Sequence, residues 1–520
     1  MSSKYACPNP CNVLLVGGGG REHALAWKMK QSENLGTLYA TNWENGGIST
    51  IAERCDEQWD PARAFFMSRW CDAHDIHLVV VGPEIPLADG IVDELTTKDR
   101  LVFGPCKEAA KIEADKSFAK DLMRQACIPT ADSRTFTDIN SAKRYLLRGL
   151  DLEFESEEKV EWAAEISNYM NRVGASGHET PSEFSASKES NWLGGNTANQ
   201  DTPQGVFSIE LQQALDKRVD PCVVKASGLA AGKGVIVCNT VGESLSAIDV
   251  MMKDKMFGDA GGKILIEEFM SGQEVSVLAL VDGATIWVLD LCQDHKQVGD
   301  GDLGPNTGGM GAFCPAPLLD EEMLNYVEKE ILVPAIDAMR RNGVIYQGVL
   351  YAGLMLTPGG PKVVEFNCRF GDPETQPLLA RFQGDLVDVL WRTAAGKLDG
   401  ASISFDDNVA CCVVMCSEGY PGNYERGKLI TGFDEVSSQN LVVFHAGTTV
   451  IANESDTCIK TSGGRVLGVT AIADDLKTAQ ALANNACSKI CFEGAFWRTD
   501  IGHRVAEVKE IKRDGSLCEM

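Results

Sequence analysis

Between Asn12 and Lys28 the chain reads NVLLVGGGGREHALAWK: an unbroken apolar run, four glycines, then apolar residues at helical spacing. A short buried strand turning sharply into a helix accommodates that order. Strand residues covered on both faces are continuously apolar, and consecutive glycines interrupt either regular structure. HLVVVGPE and LVFGP repeat the buried-strand pattern, which predicts a parallel α/β domain over residues 1–108. A single helix is expected from Glu108 to Ala126, carrying Lys116 and Lys120 and ended by Ile128-Pro129. Residues 151–165 hold seven acids and one lysine, and a tract rich in Ser, Gly, Asn, Thr and Pro follows to about Gly205. That composition predicts a partly disordered surface insertion at about 150–219. Strand patterns then recur at PCVVKASG, GVIVC, KILIEEFM, EVSVLALVDG, VLYAGLMLTPG and PKVVEFNCRF, a mixed or antiparallel α+β region over 109–400. Residues 401–520 read as a third, smaller α+β domain, with strands NVACCVVMC, LVVFHAG and RVLGVTAI.

Three domains suit a chain of 520 residues. Its 48 Lys and Arg against 74 Asp and Glu leave a net charge of −26, which repels nucleic-acid phosphates and anionic lipid. No apolar run approaches the ~18 residues of a membrane span, and the first residues lack a basic start and a leader core. The 18 cysteines are scattered with no CxxC pair, as expected of reduced thiols in a cytoplasmic protein. Cys71, His74 and His77 have ligand-like spacing but no evident fourth ligand. Small-molecule chemistry is the expectation.

Five segments carry that chemistry. Gly17 to Ala24 aims backbone N–H groups and a helix start at an anion. It lacks G-x-G-x-x-G in either register, which argues against a dinucleotide and for a phosphate or ribose phosphate. KASGLAAGKGV delivers Lys225 on a strand and Lys233 between two glycines on a loop suited to closing over phosphates. Gly234 stands where a P-loop needs Ser or Thr. ILIEEFMSGQEVSV offers Glu267, Glu268 and Glu274 to a purine nucleoside, although acids on solvated strand edges would look the same. In VVEFNCRFGDPETQP, strand alternation puts Glu365, Asn367 and Arg369 on one face, a carboxylate and an amide oxygen suited to magnesium beside a guanidinium. Asp290 to Phe313 reads as a long glycine-rich binding loop, in which His295 is not assigned proton transfer.

Taken together, GGGREHALAWK, VVGPEIPLADGIVD, KASGLAAGKGVIV, IEEFMSGQE, QDHKQVGDGDLGPNTGGMGAF, VEFNCRFGDPETQPLL and SGGRVLGVTA resemble the phosphoribosylamine–glycine ligase family of ATP-grasp enzymes. The resemblance covers nearly the whole chain. It departs from the family where Asn42 to Gly47 replaces a Pro-Gly-Asn turn, and at the insertion. The resemblance implies an N-terminal parallel α/β domain, a central ATP-grasp domain and a small C-terminal α+β domain. It implies ATP between two α+β subdomains, with Lys116 and Lys225 toward the phosphates, Glu267 and Glu268 at the adenine, Glu274 on the ribose and Lys233 on the closing loop. Glu365 and Asn367 would hold Mg2+ or Mn2+, and Lys233 and Arg369 would be the catalytic cations. Gly18, Gly19, Gly20, Arg21, Glu22 and Glu84 would meet 5-phosphoribosylamine, with Asp294, Lys296 and Asp372 helping to hold the two substrates. Glycine and 5-phosphoribosylamine would be the only partners, with no nucleic acid and no membrane, in a monomer or a homodimer. The alternatives are another ATP-grasp carboxylate–amine ligase, a biotin-dependent carboxylase and a non-catalytic nucleotide-binding protein. The last would be expected to lack Lys233, Glu365 or Arg369.

Overall fold

The computed structural model describes residues 6–148, 164–168, 207–230, 234–436, 438–452 and 457–505. The chain forms two compact units: one of Met1–Ala114, Asp121–Thr130 and Ser271–Met520, the other of Asp115–Lys120 and Ala131–Met270.

The larger unit opens with a five-stranded sheet in the order Glu53–Arg54, Leu35–Ala40, Cys11–Val16, Leu78–Val81, Leu101–Phe103, every neighbour parallel. Val13, Leu15, Leu78 and Val80 are fully buried, which explains why these strands lack polar alternation. A four-stranded antiparallel sheet follows, in the order Ile286–Val288, Gln273–Val281, Gly348–Thr357, Gly360–Asn367. A third sheet combines Gln293–Asp294, Gly311–Cys314, Val409–Ser417, Arg465–Ala473 and Leu441–His445, with Ala495–Phe496 on the middle strand. One apolar cluster runs through this unit, from Leu15 and Leu25 to Leu280, Tyr351, Leu379 and Phe444.

The smaller unit is a four-stranded antiparallel sheet in the order Ser133–Phe136, Ile264–Glu268, Val219–Ala226, Val235–Thr240. Ala142 from the helix Ile139–Leu147 and Ala247 and Ile248 from the helix Val241–Ile248 bury its face with Val224, Ala226 and Ile266.

Two expectations are corrected. The helix expected over Glu108–Ala126 is two helices, Lys107–Ala114 and Lys116–Gln125. Asp115 divides them, because its Oδ1 accepts from Ser117 N at 2.9 Å and Phe118 N at 3.2 Å and so caps a new helix. The segment Asp290–Phe313 is not simply a loop. Gln297–Gly299 pairs antiparallel with Leu303–Asn306, and Gln293–Asp294 with Gly311–Cys314. Its hairpin is fixed from outside: Arg498 donates to the Gln297 carbonyl and to Asp302, and Asp300 accepts from Thr499. Most of the expected insertion lies outside the described residues, as does Lys233.

Among the described residues no helix is long and apolar enough to cross a membrane, and every cysteine is free. His74 stacks on Trp70 at 3.9 Å, and His77 Nδ1 accepts from Asn12 N at 3.1 Å.

Candidate active site

The glycine-rich turn leaves the central parallel strand and starts the helix Gly20–Met29. Glu22 folds back over it, accepting from Gly19 N at 2.6 Å through Oε2 and from Arg21 Nε at 2.6 Å through Oε1. Arg21 also donates to the Phe370 carbonyl at 3.0 Å. A Cβ on Gly82 would stand 2.0 Å from Glu22 Oε1, so glycine there makes room for the carboxylate. Asn45, in the segment that departs from the family turn, donates to the carbonyls of Gly18, His445 and Ala446. Arg21 and Glu22 thus fix the turn's shape, and one N–H expected to face an anion is spent within it.

In the smaller unit Lys225 and Glu267 are buried on adjacent strands, with Nζ 2.9 Å from Glu267 Oε2. Lys120 approaches the same oxygen at 3.3 Å and donates to the Ala131 carbonyl. A buried carboxylate between two ammonium groups leaves a net positive charge at this point, as a polyphosphate needs. Glu268, one residue along, is exposed and accepts from Asp132 N. Lys116 donates to the Gly228 carbonyl at 3.5 Å beside a network in which Asp115 binds Lys263, Ser117 and Ser227. Burial opposes ionisation of Asp115, but those donors outweigh it and hold its carboxyl well below the usual range.

In the larger unit the strand Gly360–Asn367 brings Glu365 and Asn367 to one face, while Arg369 follows beyond its end rather than on it. The guanidinium still reaches back, with Nη2 3.4 Å from Asn367 Oδ1, 3.1 Å from Glu113, and Nε 3.5 Å from Glu84. Burial works against its charge, but Glu113 and Glu84 raise its pKa further. Glu113 accepts from Cys368 N at 2.7 Å, and burial raises its pKa. For Glu84 burial is again the largest influence, yet Arg369 and Arg21 bring it below the ordinary value. One carboxylate and one amide oxygen side by side fit magnesium, which keeps waters and phosphate oxygens as its other ligands. Among the described residues no group of three or more His, Cys, Asp or Glu forms a denser metal cage.

Asp294, Lys296, Glu274, Asp372 and Glu374 form a second charged group in this unit. Lys296 Nζ is 2.5 Å from Glu274 Oε2; burial would lower its pKa, but Glu274, Glu365 and Asp294 raise it. Glu274, expected at a ribose, is therefore joined to a residue expected at the substrates. Asp372 accepts from Gln376 at 2.9 Å and lies 3.4 Å from Arg465, which holds its carboxyl low despite burial. Glu374 is buried and accepts from the hydroxyls of Tyr351 and Ser276. His295 Nε2 accepts from Gly502 N at 2.9 Å, and burial, with Arg498 nearby, depresses it to about 3. It is a neutral anchor. Glu113, Glu374 and Arg465 were not among the expected site residues, and Lys120 was named on its helix without its pairing to Glu267. Glu374 stood inside a motif already singled out, whereas nothing local ties Arg465 to the Asp372 carbonyl, 93 residues away.

Sequence models of the three domains of phosphoribosylglycinamide synthetase match this chain: the N domain at residues 11–113, the ATP-grasp domain at 203–375 and the C domain at 410–504. A phosphoribosylamine–glycine ligase of Rhodopirellula baltica is 44% identical over 497 residues, covering 95% of this chain and 97% of that one. One from a Nostoc species is 42% identical over 498 residues, covering 95% and 99%. The crystal structure of the Thermotoga maritima phosphoribosylamine–glycine ligase shares the fold, with a TM-score of 0.66 at 24% identity over 94% of this chain and all of that one. The biotin carboxylase domain of Hydrogenobacter thermophilus 2-oxoglutarate carboxylase, solved with MgADP, shares it at 0.62 and 14% identity, over 97% and 95%. With matched domains at both ends and in the middle, the chain belongs to the phosphoribosylamine–glycine ligase family, whose ATP-grasp domain marks it as an ATP-using ligase.

Proposed function

We propose that this chain joins glycine to 5-phosphoribosylamine at the expense of ATP, giving glycinamide ribonucleotide, ADP and phosphate in cytoplasmic purine synthesis. The observation that carries the reading is the end of the strand Gly360–Asn367, where Glu365 and Asn367 share a face and a half-buried Arg369 reaches back to Asn367. The glycine carboxylate attacks the γ-phosphorus of ATP, the bond to the ADP oxygen breaks, and glycyl phosphate forms. The amine of 5-phosphoribosylamine then attacks the acyl carbon, loses a proton and expels phosphate. No bond to the protein is needed, so the chain contributes position and charge.

Glu365 and Asn367 would hold Mg2+ or Mn2+, and the ion would supply charge neutralisation at the transferred phosphoryl group. Arg369 supplies a second, fixed positive charge there, and its pairing with Glu113 and Glu84 keeps it in place before substrate arrives. Lys225 and Lys116 take the nucleotide phosphates, Lys233 closes over them, and Glu267 orients Lys225 as much as it faces adenine. Glu268 and Glu274 take the adenine and ribose sides. The Gly18-Gly19-Gly20 turn, shaped by Arg21 and Glu22, receives 5-phosphoribosylamine together with Glu84. Asp294, Lys296 and Asp372 serve the two small substrates. We assign 1–108 to substrate binding, 109–400 to the ATP-grasp domain and 401–520 to the C-terminal domain.

The test is ADP release by purified protein with ATP, magnesium, glycine and fresh 5-phosphoribosylamine, each omitted in turn. One glycinamide ribonucleotide per ADP, requiring both small substrates, is expected, and Glu365→Ala should lower turnover at least about a hundredfold. ADP release independent of the amine would leave the ATP-grasp reading and redirect the assignment to another carboxylate–amine ligase.

A further inference from the structure

Cys222 and Cys238 stand directly opposite each other on the antiparallel strands Val219–Ala226 and Val235–Thr240 of the smaller unit. Opposite residues of such a pair project to the same side of the sheet. Here that is the apolar side, where Cys238 is fully buried among Ala247 and Ile248 and Cys222 is half-buried. The two thiols lie within hydrogen-bonding reach of each other, and Ser244 Oγ on the covering helix is 3.2 Å from Cys222 Sγ.

The ladder spacing suits a covalent bridge. Ala226 N donates to the Gly234 carbonyl at 2.8 Å, and hydrogen-bonded rungs alternate with open ones along an antiparallel pair, so the Cys222 and Cys238 rung is a hydrogen-bonded one. Its Cα atoms are then about 5.5 Å apart, inside the span of roughly 4.4–6.8 Å that a disulfide takes. Little backbone movement is needed. The thiols of Cys292 and Cys314 also meet, but both are fully buried, which closes them to an oxidant in solution.

The two sulfurs differ in character. Hydrogen bonding from Cys238 favours the Cys222 thiolate and brings its pKa down to about 7 against the effect of burial, with Ser244 assisting. The same contact and burial raise Cys238, which keeps its proton. Cys222 also follows the exposed Val219, Asp220 and Pro221, at the open end of its strand. The thiolate is the reactive form, so Cys222 attacks and Cys238 resolves.

We propose that this pair is a reversible oxidation site, at which a hydroperoxide converts the two thiols into a disulfide that pins Val235–Thr240, the edge strand of its sheet, to the strand carrying Lys225. The Cys222 thiolate attacks a peroxide oxygen, the O–O bond breaks, and Cys222 becomes a sulfenic acid as water or an alcohol leaves. Cys238 then attacks that sulfur, and its proton departs with the hydroxyl as water. The thiols lose two electrons in all, and the peroxide gains them. An edge strand is held on one side only and opens more readily than its neighbours; the bridge removes that freedom. No step depends on the ligase reading.

The test uses the full chain, reduced, treated with up to about ten equivalents of hydrogen peroxide, alkylated and mapped by peptide mass spectrometry. The link between Cys222 and Cys238 should be the main oxidised product, and dithiothreitol should restore both thiols. Hydrogen exchange of the Val235–Thr240 amides should slow at least about tenfold in the oxidised form. Cys238→Ser should leave Cys222 as a sulfenic acid that dimedone traps, whereas Cys222→Ser should leave Cys238 unlabelled. Failure of the wild-type pair to link would overturn the proposal, whichever of Cys7, Cys127 or Cys491 reacts instead. A link that changes exchange of the edge strand by less than about threefold would refute the pinning.

Discussion

The glycine-rich turn at Gly17–Glu22 and the group around Asp294 and Arg369 both set charged side chains beside a strand end, yet their bonding is opposite in character. In the turn both Glu22 oxygens are used at 2.6 Å and Arg21 is divided between Glu22 and a carbonyl. In the second region Asp294 Oδ1 has no hydrogen-bond partner among the described residues, and Arg369 reaches its acids at 3.1 and 3.5 Å. Charged residues in a motif can therefore build a backbone shape or keep bonding capacity for a ligand, and only the hydrogen-bond inventory separates the two. The turn presents its peptide groups; the Asp294 and Arg369 region presents side chains.

The largest expected effect tests the open region. Arg369→Met should lower kcat about a thousandfold, as expected for loss of a preorganised charge at the transferring group. It should also destabilise the fold by about 1–3 kcal/mol, since Glu113 and Glu84 lose a half-buried counter-charge. A kcat within tenfold of wild type would remove Arg369 from the chemistry. The closed region should respond mainly in stability. Glu22→Gln is expected to lose about 1–3 kcal/mol in denaturant unfolding, with kcat within threefold and the KM for 5-phosphoribosylamine raised less than about tenfold. A hundredfold loss of kcat there would erase the contrast between the regions.

The smallest effect concerns acid. Burial depresses His23 to about 3, with His445 adding to the effect, and depresses His445 to about 4. His295 is likewise at about 3. In the unfolded chain such groups titrate near 6.5. Their folded pKa values are therefore the lower ones, so as pH falls the unfolded chain gains protons first. Their contribution is complete above about pH 6.5 and is lost progressively toward pH 3–4. The melting temperature should be level between pH 8 and 7 and fall by several degrees by pH 5. A flat profile across that range would contradict the burial of these rings as neutral bases.

Much was legible in the sequence because its causes are short-range. The opening parallel sheet was written in apolar runs and glycines, and Glu365 and Asn367 shared a face by strand alternation alone. The split at Asp115 was open to the same reasoning, an acid placed to cap the next helix, and the long apolar-spaced pattern across it concealed the break. The hairpin Gln297–Asn306 was not legible, since its strands are short, polar and rich in glycine and depend on Arg498.

Local sequence thus determined the order of strands and helices, the parallel opening sheet and the motifs that mark an ATP-using ligase, because periodicity and turn chemistry act over a few residues. Tertiary structure decided what each charged group does. Glu267 joins Lys225 and Lys120, Arg369 rests on Glu113 and Glu84, and Glu22 closes its own turn. The physical reason is that a buried charge takes its role from its partners and its solvent exposure, and both are supplied by segments far away in the chain.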